Sequence, residues 1–324
     1  MQIKYAFVFY HIFCYICNQT TAKTAMNLQQ IRQYENLELL AKQVVEGFIT
    51  GLHKSPFHGF SVEFLEHRLY NTGESTKNID WRLYARTDKL FVKRYEEETN
   101  LRCQFVIDAS KSMYYPDTDF SKLKFSVFAT AALLHLLKKQ RDAAGLSIFS
   151  HEIDVQIAAR ASAVHTQLLF NQLEALLRHQ PVARPTQAAA ALHQIAEATH
   201  QRSLIVIFSD MLEGNNEQDA IFSALQHLKY RKHEVIFFHT IDAKQELNFE
   251  FENRPYEFTD LETNQKIKLN PFALKDIYKQ KFEEFRQNLK LRCAQYQIDF
   301  IEADIHQNFD VILAAFMAKR TKMY

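Results

Sequence analysis

The chain has 324 residues, of which 47% are hydrophobic and 24% are charged, a composition ordinary for one large or two modest folded domains. Lysine plus arginine total 39 and aspartate plus glutamate total 38, so the net charge of +1 creates no overall field that would attract nucleic acid. The six glycines show neither phosphate-loop nor dinucleotide-binding spacing, which argues against a P-loop ATPase and a typical nicotinamide enzyme.

Residues 1–26 are set apart by an apolar run, YAFVFYHIFCYIC, at positions 5–17. The run is shorter than the roughly 20 apolar residues that a spanning helix requires, and no clean signal-peptide cleavage site follows it. A signal-peptide core remains open, but we favour an extension upstream of a true start at Met26. No other apolar run is long enough to span a bilayer, so the sequence predicts a cytoplasmic protein, with peripheral membrane association left open.

Residues 27–100 are predicted to contain a helix followed by a block rich in polar and aromatic residues. Apolar side chains recur at helical spacing from Ile31 to Phe48, directly after Met26. Further on, Asn71–Gly73 indicates a turn, and Lys89–Glu98 an extended segment leading into the next strand. The dense charges of this block are typical of a salt-bridged surface, which favours a structural role for it.

Residues 101–324 alternate between strand and helix patterns, which indicates βαβ units and a mostly parallel sheet. Continuous apolar runs at 103–108 and 203–210 are typical of strands buried on both faces. The pattern between Leu247 and Leu269 predicts an inserted hairpin. We therefore predict an α/β fold. Its other elements are strands at Gly145–Phe149, Ile153–Ala158, Glu234–Thr240 and Ile298–Ala303, and helices at about 121–140, 162–178, 187–199, 217–230 and 271–296, with a closing helix to about Arg320.

Polar side chains follow the two buried strands where each strand ends. Asp108, Ser110 and Ser112 alternate directly after the first strand, and Asp210 follows the second. Thr186 stands between them at a predicted helix start. Because ligands of open parallel sheets sit beyond the carboxyl ends of the strands, we expect these oxygens to converge. Hard oxygens without histidine or sulfur suit Mg²⁺ or Mn²⁺.

Each of these residues also has a purely structural interpretation. Serine and threonine are common helix N-caps, so Ser110, Ser112 and Thr186 could serve only as caps. An aspartate at the end of a strand is frequent in turns. The occurrence of all of these residues in this order within an α/β chain favours the metal site.

Asp108, Ser110, Ser112, Thr186 and Asp210 together resemble the metal-ion-dependent adhesion site of von Willebrand factor A domains. In that family these residues hold a divalent cation whose free coordination position is filled by an acidic group of a partner protein. The resemblance implies a von Willebrand factor A-like open, mostly parallel sheet flanked by helices. We expect an N-terminal helix and a small β-containing region to accompany this sheet.

A second set of motifs narrows the resemblance: Arg68-x-Tyr70, Gly73-Glu74, Ile79-Asp80-Trp81, Ala85-Arg86, Leu90, Lys93 through Glu98, and the stretch 258–263. These motifs resemble the bacterial family known as domain of unknown function fifty-eight, which couples such a block to an A-like domain. The similarity runs from about Phe57 to the C-terminus. Members of that family often resemble proteins encoded beside AAA+ ATPases of the MoxR type. The resemblance therefore implies a non-catalytic adaptor or co-chaperone that binds such an ATPase, or its client, through the metal.

The alternative function is a metal-dependent hydrolase or phosphatase with Asp108 as its nucleophile. Haloacid-dehalogenase-like phosphatases use an aspartate in this position, but they need a second acidic residue where this chain has Ser110. No lysine with a matching second pair of carboxylates is evident in the sequence. No histidine lies near Ser110 or Ser112 in the sequence to activate a serine nucleophile. The residues therefore favour an interaction module over an enzyme.

Overall fold

The computed structural model describes residues 36–53, 67–69, 81–87, 90–93, 101–116, 120–179, 187–212, 218–259 and 266–323. The extension predicted at residues 1–26 and the helical residues Ile31 and Tyr34 lie outside this part of the chain. Contacts divide the chain into two units, and the smaller one is Thr50–Asn100. The larger unit contains Leu101–Tyr324 together with the described residues up to Ile49.

The elements of the described residues follow in chain order. The strands are β1 (His67–Leu69), β2 (Phe91–Lys93), β3 (Arg102–Asp108), β4 (Ala143–Phe149), β5 (Ile153–Arg160), β6 (Leu204–Ser209), β7 (Glu234–Ile241), β8 (Tyr256–Thr259), β9 (Lys266–Leu269) and β10 (Asp299–Asp304). The helices are α1 (Leu37–His53), α2 (Trp81–Thr87), α3 (Lys122–Gln140), α4 (Ala163–Arg178), α5 (Ala188–Ala198), α6 (Gln218–Tyr230), α7 (Pro271–Gln295) and α8 (Asp310–Met323). A 3₁₀ turn occupies Lys111–Tyr114 and a π-helical turn Ala243–Leu247.

The larger unit is built on a six-stranded sheet with the strand order β10-β7-β6-β3-β4-β5. Strand β5 at one edge is antiparallel to β4, and the other neighbouring pairs are parallel. Strands β4 and β5 follow β3 toward one edge of the sheet, and β6, β7 and β10 then lie on the other side of β3. The strand order therefore reverses between β3 and β6, where an open α/β sheet forms its ligand crevice. This topology confirms the predicted von Willebrand factor A-like α/β fold.

Helices cover both faces of the sheet, so the central strands have no solvent-exposed face. Along β3, Phe105 and Ile107 belong to one hydrophobic cluster and Val106 to the other, as the period of two in a strand requires. The first cluster includes residues of α1, α3, α4 and α8, and the second includes residues of α5, α6 and α7. Burial on both faces explains why the central strands read as continuous apolar runs.

The predicted strands and helices of the larger unit are confirmed, with end shifts of a few residues. Helix α1 packs its residues Leu37, Leu40 and Val45 into the core of the sheet, so contacts group its residues up to Ile49 with the larger unit. The predicted hairpin occupies β8 and β9, in the second half of the stretch assigned to it. Before it lies the π-helical turn, which was not predicted.

The smaller unit contains the antiparallel pair β1–β2 and helix α2. The pair is the small β-containing region expected beside the sheet, and β2 falls within the extended segment predicted at Lys89–Glu98. Helix α2 has no counterpart among the sequence predictions, which treated its charges as a surface feature.

Strand β4 approaches its neighbours so closely at Gly145 that no side chain fits there. An ideal Cβ would lie 2.7 Å from both the amide nitrogen of Ala159 and the carbonyl oxygen of Ile157, and against the side chain of Gln104. We expect Gly145→Ala to lower the free energy of unfolding by about 2–3 kcal/mol, because two of these neighbours are backbone atoms that cannot move aside. Urea denaturation measures the change.

Gly47→Ala is the matched control, since Gly47 lies inside α1. Alanine is favoured over glycine in a helix by about 1 kcal/mol, so this substitution should stabilise the protein. A Gly145→Ala variant as stable as the wild type would contradict the close approach at β4.

Candidate functional site

Four of the five predicted site residues lie together at the carboxyl edge of the sheet. Asp108 ends β3, Ser110 and Ser112 stand in the turn that follows, and Asp210 comes directly after β6. Strands β3 and β6 are adjacent and parallel, with Ile107 opposite Phe208, so their ends meet. The fifth predicted residue, Thr186, lies outside the described residues.

Asp108 is held in one orientation by neutral donors of Ser110 and Ser209. The backbone N–H of Ser110 donates to its Oδ1 at 2.8 Å, and the hydroxyl of Ser209 donates to its Oδ2 at 2.6 Å. The residue is only 3% exposed. A carboxylate oxygen can accept more than one bond, so each oxygen retains capacity for a further partner.

The two serines connect Asp108 to Asp210. The hydroxyl oxygens of Ser110 and Ser112 are 3.1 Å apart, and the side chain of Ser112 is hydrogen-bonded to Asp210. Helix α3 is capped by Ser121, whose side chain accepts from the N–H of Lys124. The capping interpretation of Ser110 and Ser112 is therefore wrong for this helix.

Asp210 is positioned by its own backbone as well as by its neighbours. The ring nitrogen Nε2 of His239, on β7, lies 3.0 Å from the carbonyl oxygen of Asp210, so Nε2 carries the proton that it donates. Burial lowers the pKa of His239 to about 4, so the ring is neutral near pH 7. The next residue, Met211, has a φ of 50° and is buried, a conformation that costs energy for a side chain with a Cβ.

A lysine that sequence reasoning missed lies beside Asp210. The ammonium of Lys122, in the first turn of α3, is 2.7 Å from Oδ2 of Asp210 and 2.5 Å from Oε1 of Glu246. Lys122 has no exposed surface, and the side chains of Asp210 and Glu246 are 2% and 10% exposed. The three groups form a buried ion cluster on one side of the candidate site.

The cluster extends to the last strand of the sheet. Oε2 of Glu246 accepts from the N–H of Asp242 at 2.8 Å, and Oδ1 of Asp242 lies 3.0 Å from Nε2 of His306. Asp242 also caps the π-helical turn by accepting from the N–H groups of Lys244 and Gln245. One hydrogen-bonded network thus runs from Ser209 at the end of β6 to His306 after β10.

The two site carboxyls differ in their electrostatic surroundings. Burial and the nearby charge of Asp210 raise the pKa of Asp108 to about 6. Burial alone would also raise the pKa of Asp210, but the Lys122 ammonium and the hydrogen bonds from Lys122 and Ser112 hold it below its ordinary value. Burial raises the pKa of Glu246 in spite of its contact with Lys122. Asp210 is therefore ionised at neutral pH, whereas the pKa of Asp108, about 6, lies close to neutral pH.

The donor chemistry of this cluster fits a hard divalent cation. Asp108, Ser110, Ser112 and Asp210 offer two carboxylates and two hydroxyls, the oxygen ligands that Mg²⁺ prefers. With Asp108, Asp210 and Glu246 ionised and Lys122 protonated, these four groups carry a net charge of −2, which a divalent cation would balance. In the part of the chain that the structure describes, no three His, Cys, Asp or Glu side chains are arranged to hold a metal. The hydroxyls would therefore have to complete the site.

The sequence shows no obvious lysine with a matching pair of carboxylates, and the structure supplies one through distant residues. Lys122 contacts Asp210 and Glu246, 88 and 124 residues away in the sequence. These hydrogen bonds place the ammonium on Asp210, whereas the alternative enzymatic reading assigns the nucleophile to Asp108.

The family described as Protein of unknown function DUF58 matches residues 66–288, more than half of the chain, and the chain belongs to this family. Uncharacterized proteins of Mycobacterium tuberculosis and Mycobacterium bovis are 27% identical to it over 176 residues. That alignment covers 54% of this chain and 55% of each relative. The chain thus spans about half the length of the curated relatives it matches.

Three solved structures show low similarity to the chain. An aerotolerance-related membrane protein from Bacteroides fragilis is 15% identical, with a TM-score of 0.45 over 68% of this chain and 99% of that one. The conserved hypothetical protein BatB from Bacteroides thetaiotaomicron is 13% identical, with a TM-score of 0.42 over 69% of this chain and 98% of that one. The SpRpn10 VWA domain is 10% identical, with a TM-score of 0.33 over 65% of this chain and 92% of that one. Because these scores are below 0.5, the fold assignment rests on the strand order of this chain.

Within the described residues, no helix combines the length and the apolar character needed to cross a bilayer. The apolar run at positions 5–17 lies outside that part of the chain.

Proposed function

We propose that this chain is a non-catalytic module that binds a protein partner through a divalent cation, Mg²⁺ or Mn²⁺. The proposed ligands are Asp108, Ser110, Ser112, Asp210 and, from the sequence alone, Thr186. The observation that carries the proposal is the meeting of the first four residues in one buried network at the reversal point of the sheet. Ligand crevices of open α/β sheets form at this position.

The geometry suits the binding of an ion. Asp108 is fixed by the Ser110 amide and the Ser209 hydroxyl, so its oxygens are oriented before an ion arrives. Bound there, a divalent cation would supply an open coordination position. A carboxylate of the partner could fill it and would meet a site shaped in advance by Ser110 and Ser112.

The partner that we propose is a MoxR-type AAA+ ATPase or its client, for which this chain would act as an adaptor or co-chaperone. The support is the resemblance of the motifs upstream of β3 to a family whose members often occur beside such ATPases. This part of the proposal is tested separately from the metal site, because a metal-dependent module could bind another protein.

The test measures binding of the immobilised chain to a purified MoxR-type ATPase from the same source. We expect binding by the wild type in Mg²⁺, and at least a tenfold weaker response in EDTA or with Asp108→Asn, because both changes remove the ion that would bridge the partners. Asp154→Asn is the matched control, since Asp154 is an exposed carboxylate near the same edge of the sheet.

Binding that survives both EDTA and Asp108→Asn would contradict the metal-dependent mechanism. Binding of a different protein from the host lysate, lost in EDTA and with Asp108→Asn, would retain the metal site and contradict the ATPase as partner. Hydrolysis of p-nitrophenyl phosphate by the wild type, absent in Asp108→Asn, would instead establish the enzymatic alternative.

A further inference from the structure

Lys122 occupies a position in which a lysine needs a specific reason to be stable. It has no exposed surface, and lysine is almost never fully buried unless it is paired. It also stands in the first turn of α3, where the helix dipole disfavours a positive charge. Its ion pairs with Asp210 and Glu246 compensate for both effects.

The ion pair makes the two carboxylates of the candidate metal site unequal. Asp210 already has an ammonium 2.7 Å from its Oδ2, and its Oδ1 accepts from the N–H of Leu212 at 3.2 Å. Asp108 is bonded by neutral donors on both oxygens. A cation that binds here would therefore share Asp210 with the Lys122 ammonium, whereas no ammonium contacts Asp108.

We propose that Lys122 sets the affinity of the site for divalent cations by competing with them for Asp210, and that Glu246 limits this competition by sharing the ammonium. The inference rests on the proposed metal site. Lys122 keeps Asp210 charge-compensated when no metal is bound, so the site retains its shape without an ion. The same contact weakens the hold on the ion, so a carboxylate from a partner contributes a larger share of the total affinity.

Two variants separate the local competition from the net charge of the site. The double variant Lys122→Met with Glu246→Gln removes one positive and one negative group, so the net charge stays at −2 while Asp210 loses its ammonium. Glu246→Gln alone lowers the net negative charge and leaves the ammonium to Asp210. The proposal therefore predicts opposite changes in cation affinity for these two variants.

The experiment is isothermal titration of the full chain with Mg²⁺ and with Mn²⁺ at pH 7.5. We expect a Kd about tenfold or more lower for the double variant than for the wild type, and a severalfold higher Kd for Glu246→Gln, since like charges at this separation interact strongly in a buried site. A Kd unchanged or raised in the double variant would overturn the proposal. If the double variant does not fold, Glu246→Gln decides, and an unchanged Kd in it is the contradicting result.

Asp108→Asn distinguishes failure of the inference from failure of the metal site. Cation binding by the wild type that is lost in Asp108→Asn and unchanged in the double variant would retain the site and reject the role of Lys122. No binding by the wild type, with binding by the double variant, would support competition so strong that Lys122 excludes the ion. No binding by any of these proteins would reject both the metal site and the role of Lys122.

Thermal melting in EDTA adds a measurement without metal. The double variant should melt at a lower temperature than the wild type, because the charge of Asp210 is no longer compensated by an ammonium.

Discussion

Replacing Lys122 with methionine should lower the free energy of unfolding of the metal-free protein by about 3–5 kcal/mol at pH 8. The reason is that the buried carboxylates of Asp210 and Glu246 both lose the ammonium with which they are paired. Methionine fills a similar volume, so little of the loss comes from packing. Without the ammonium, burial raises the pKa values of Asp210 and Glu246. Their ionisation then destabilises the fold as the pH rises through those values, and the loss should shrink as the pH falls.

Urea denaturation at pH 5 and pH 8 in EDTA measures this effect. Lys138→Met is the control, because Lys138 pairs with Glu38 at the surface, where an ion pair contributes at most about 1 kcal/mol. Equal losses for the two variants, or a loss for Lys122→Met that grows toward low pH, would contradict the buried ion cluster.

Asp108→Asn should abolish binding of Mg²⁺ and, at pH 8 in EDTA, stabilise the protein by about 2–3 kcal/mol, since about 1.4 kcal/mol accompanies each pKa unit. Burial and the charge of Asp210 raise the pKa of Asp108 to about 6, so the wild type loses stability as the pH rises through 6. Asparagine stays neutral and keeps an oxygen for the Ser110 amide. The advantage of the variant should therefore appear above pH 6 and fade as the pH falls toward 4.

Saturating Mg²⁺ should reverse the order of the two proteins, because an ion that binds the folded state alone stabilises it. Thermal melting at pH 4.5 and pH 8, with EDTA or Mg²⁺, follows both effects, and Asp154→Asn should behave as the wild type throughout. A variant that is less stable than the wild type at pH 8 in EDTA, or that binds Mg²⁺ as tightly, would contradict the assignment of Asp108.

The strands of the larger unit were predictable because burial leaves a simple pattern. Strand β3 is buried from Cys103 to Asp108 and, apart from Gln104, apolar up to Ile107, since helices cover both of its faces. The edge strand β5 alternates since only one of its faces is covered. The placement of Asp108 and Asp210 followed from the same reasoning, because parallel neighbours carry the residues after them to one edge. Local pattern and global topology agree in these segments.

Lys122 was not predicted because its environment is created entirely by distant residues. In the sequence it follows a helix cap and precedes Leu123, a position at which lysines are usually solvated. Its partners are the residue directly after β6 and a residue of the turn after β7, and nothing near Lys122 in the chain points to them. One physical signal was available, since lysine in the first turn of a helix opposes the helix dipole and suggests a compensating anion.

The π-helical turn at Ala243–Leu247 and helix α2 were missed for a different reason. Each is short, so neither repeats a hydrophobic period often enough to be read from the sequence. The π-helical turn is defined by Asp242, whose carboxylate caps it, and by Glu246, which the turn aims at Lys122. A five-residue element of this kind is specified by its contacts rather than by its own propensity.

The hydrogen-bonded network of the site has a consequence for the order in which the chain acquires it. The bond from Ser209 to Asp108 closes a separation of 101 residues, and the bond from Lys122 to Glu246 closes one of 124. Contacts of such long range close large loops, which costs chain entropy. A nascent chain that has not yet emerged past Glu246 lacks one of the two partners of Lys122. The edge of the sheet that carries the candidate site is therefore completed only when the chain from Asp108 to Glu246 has been made and has folded.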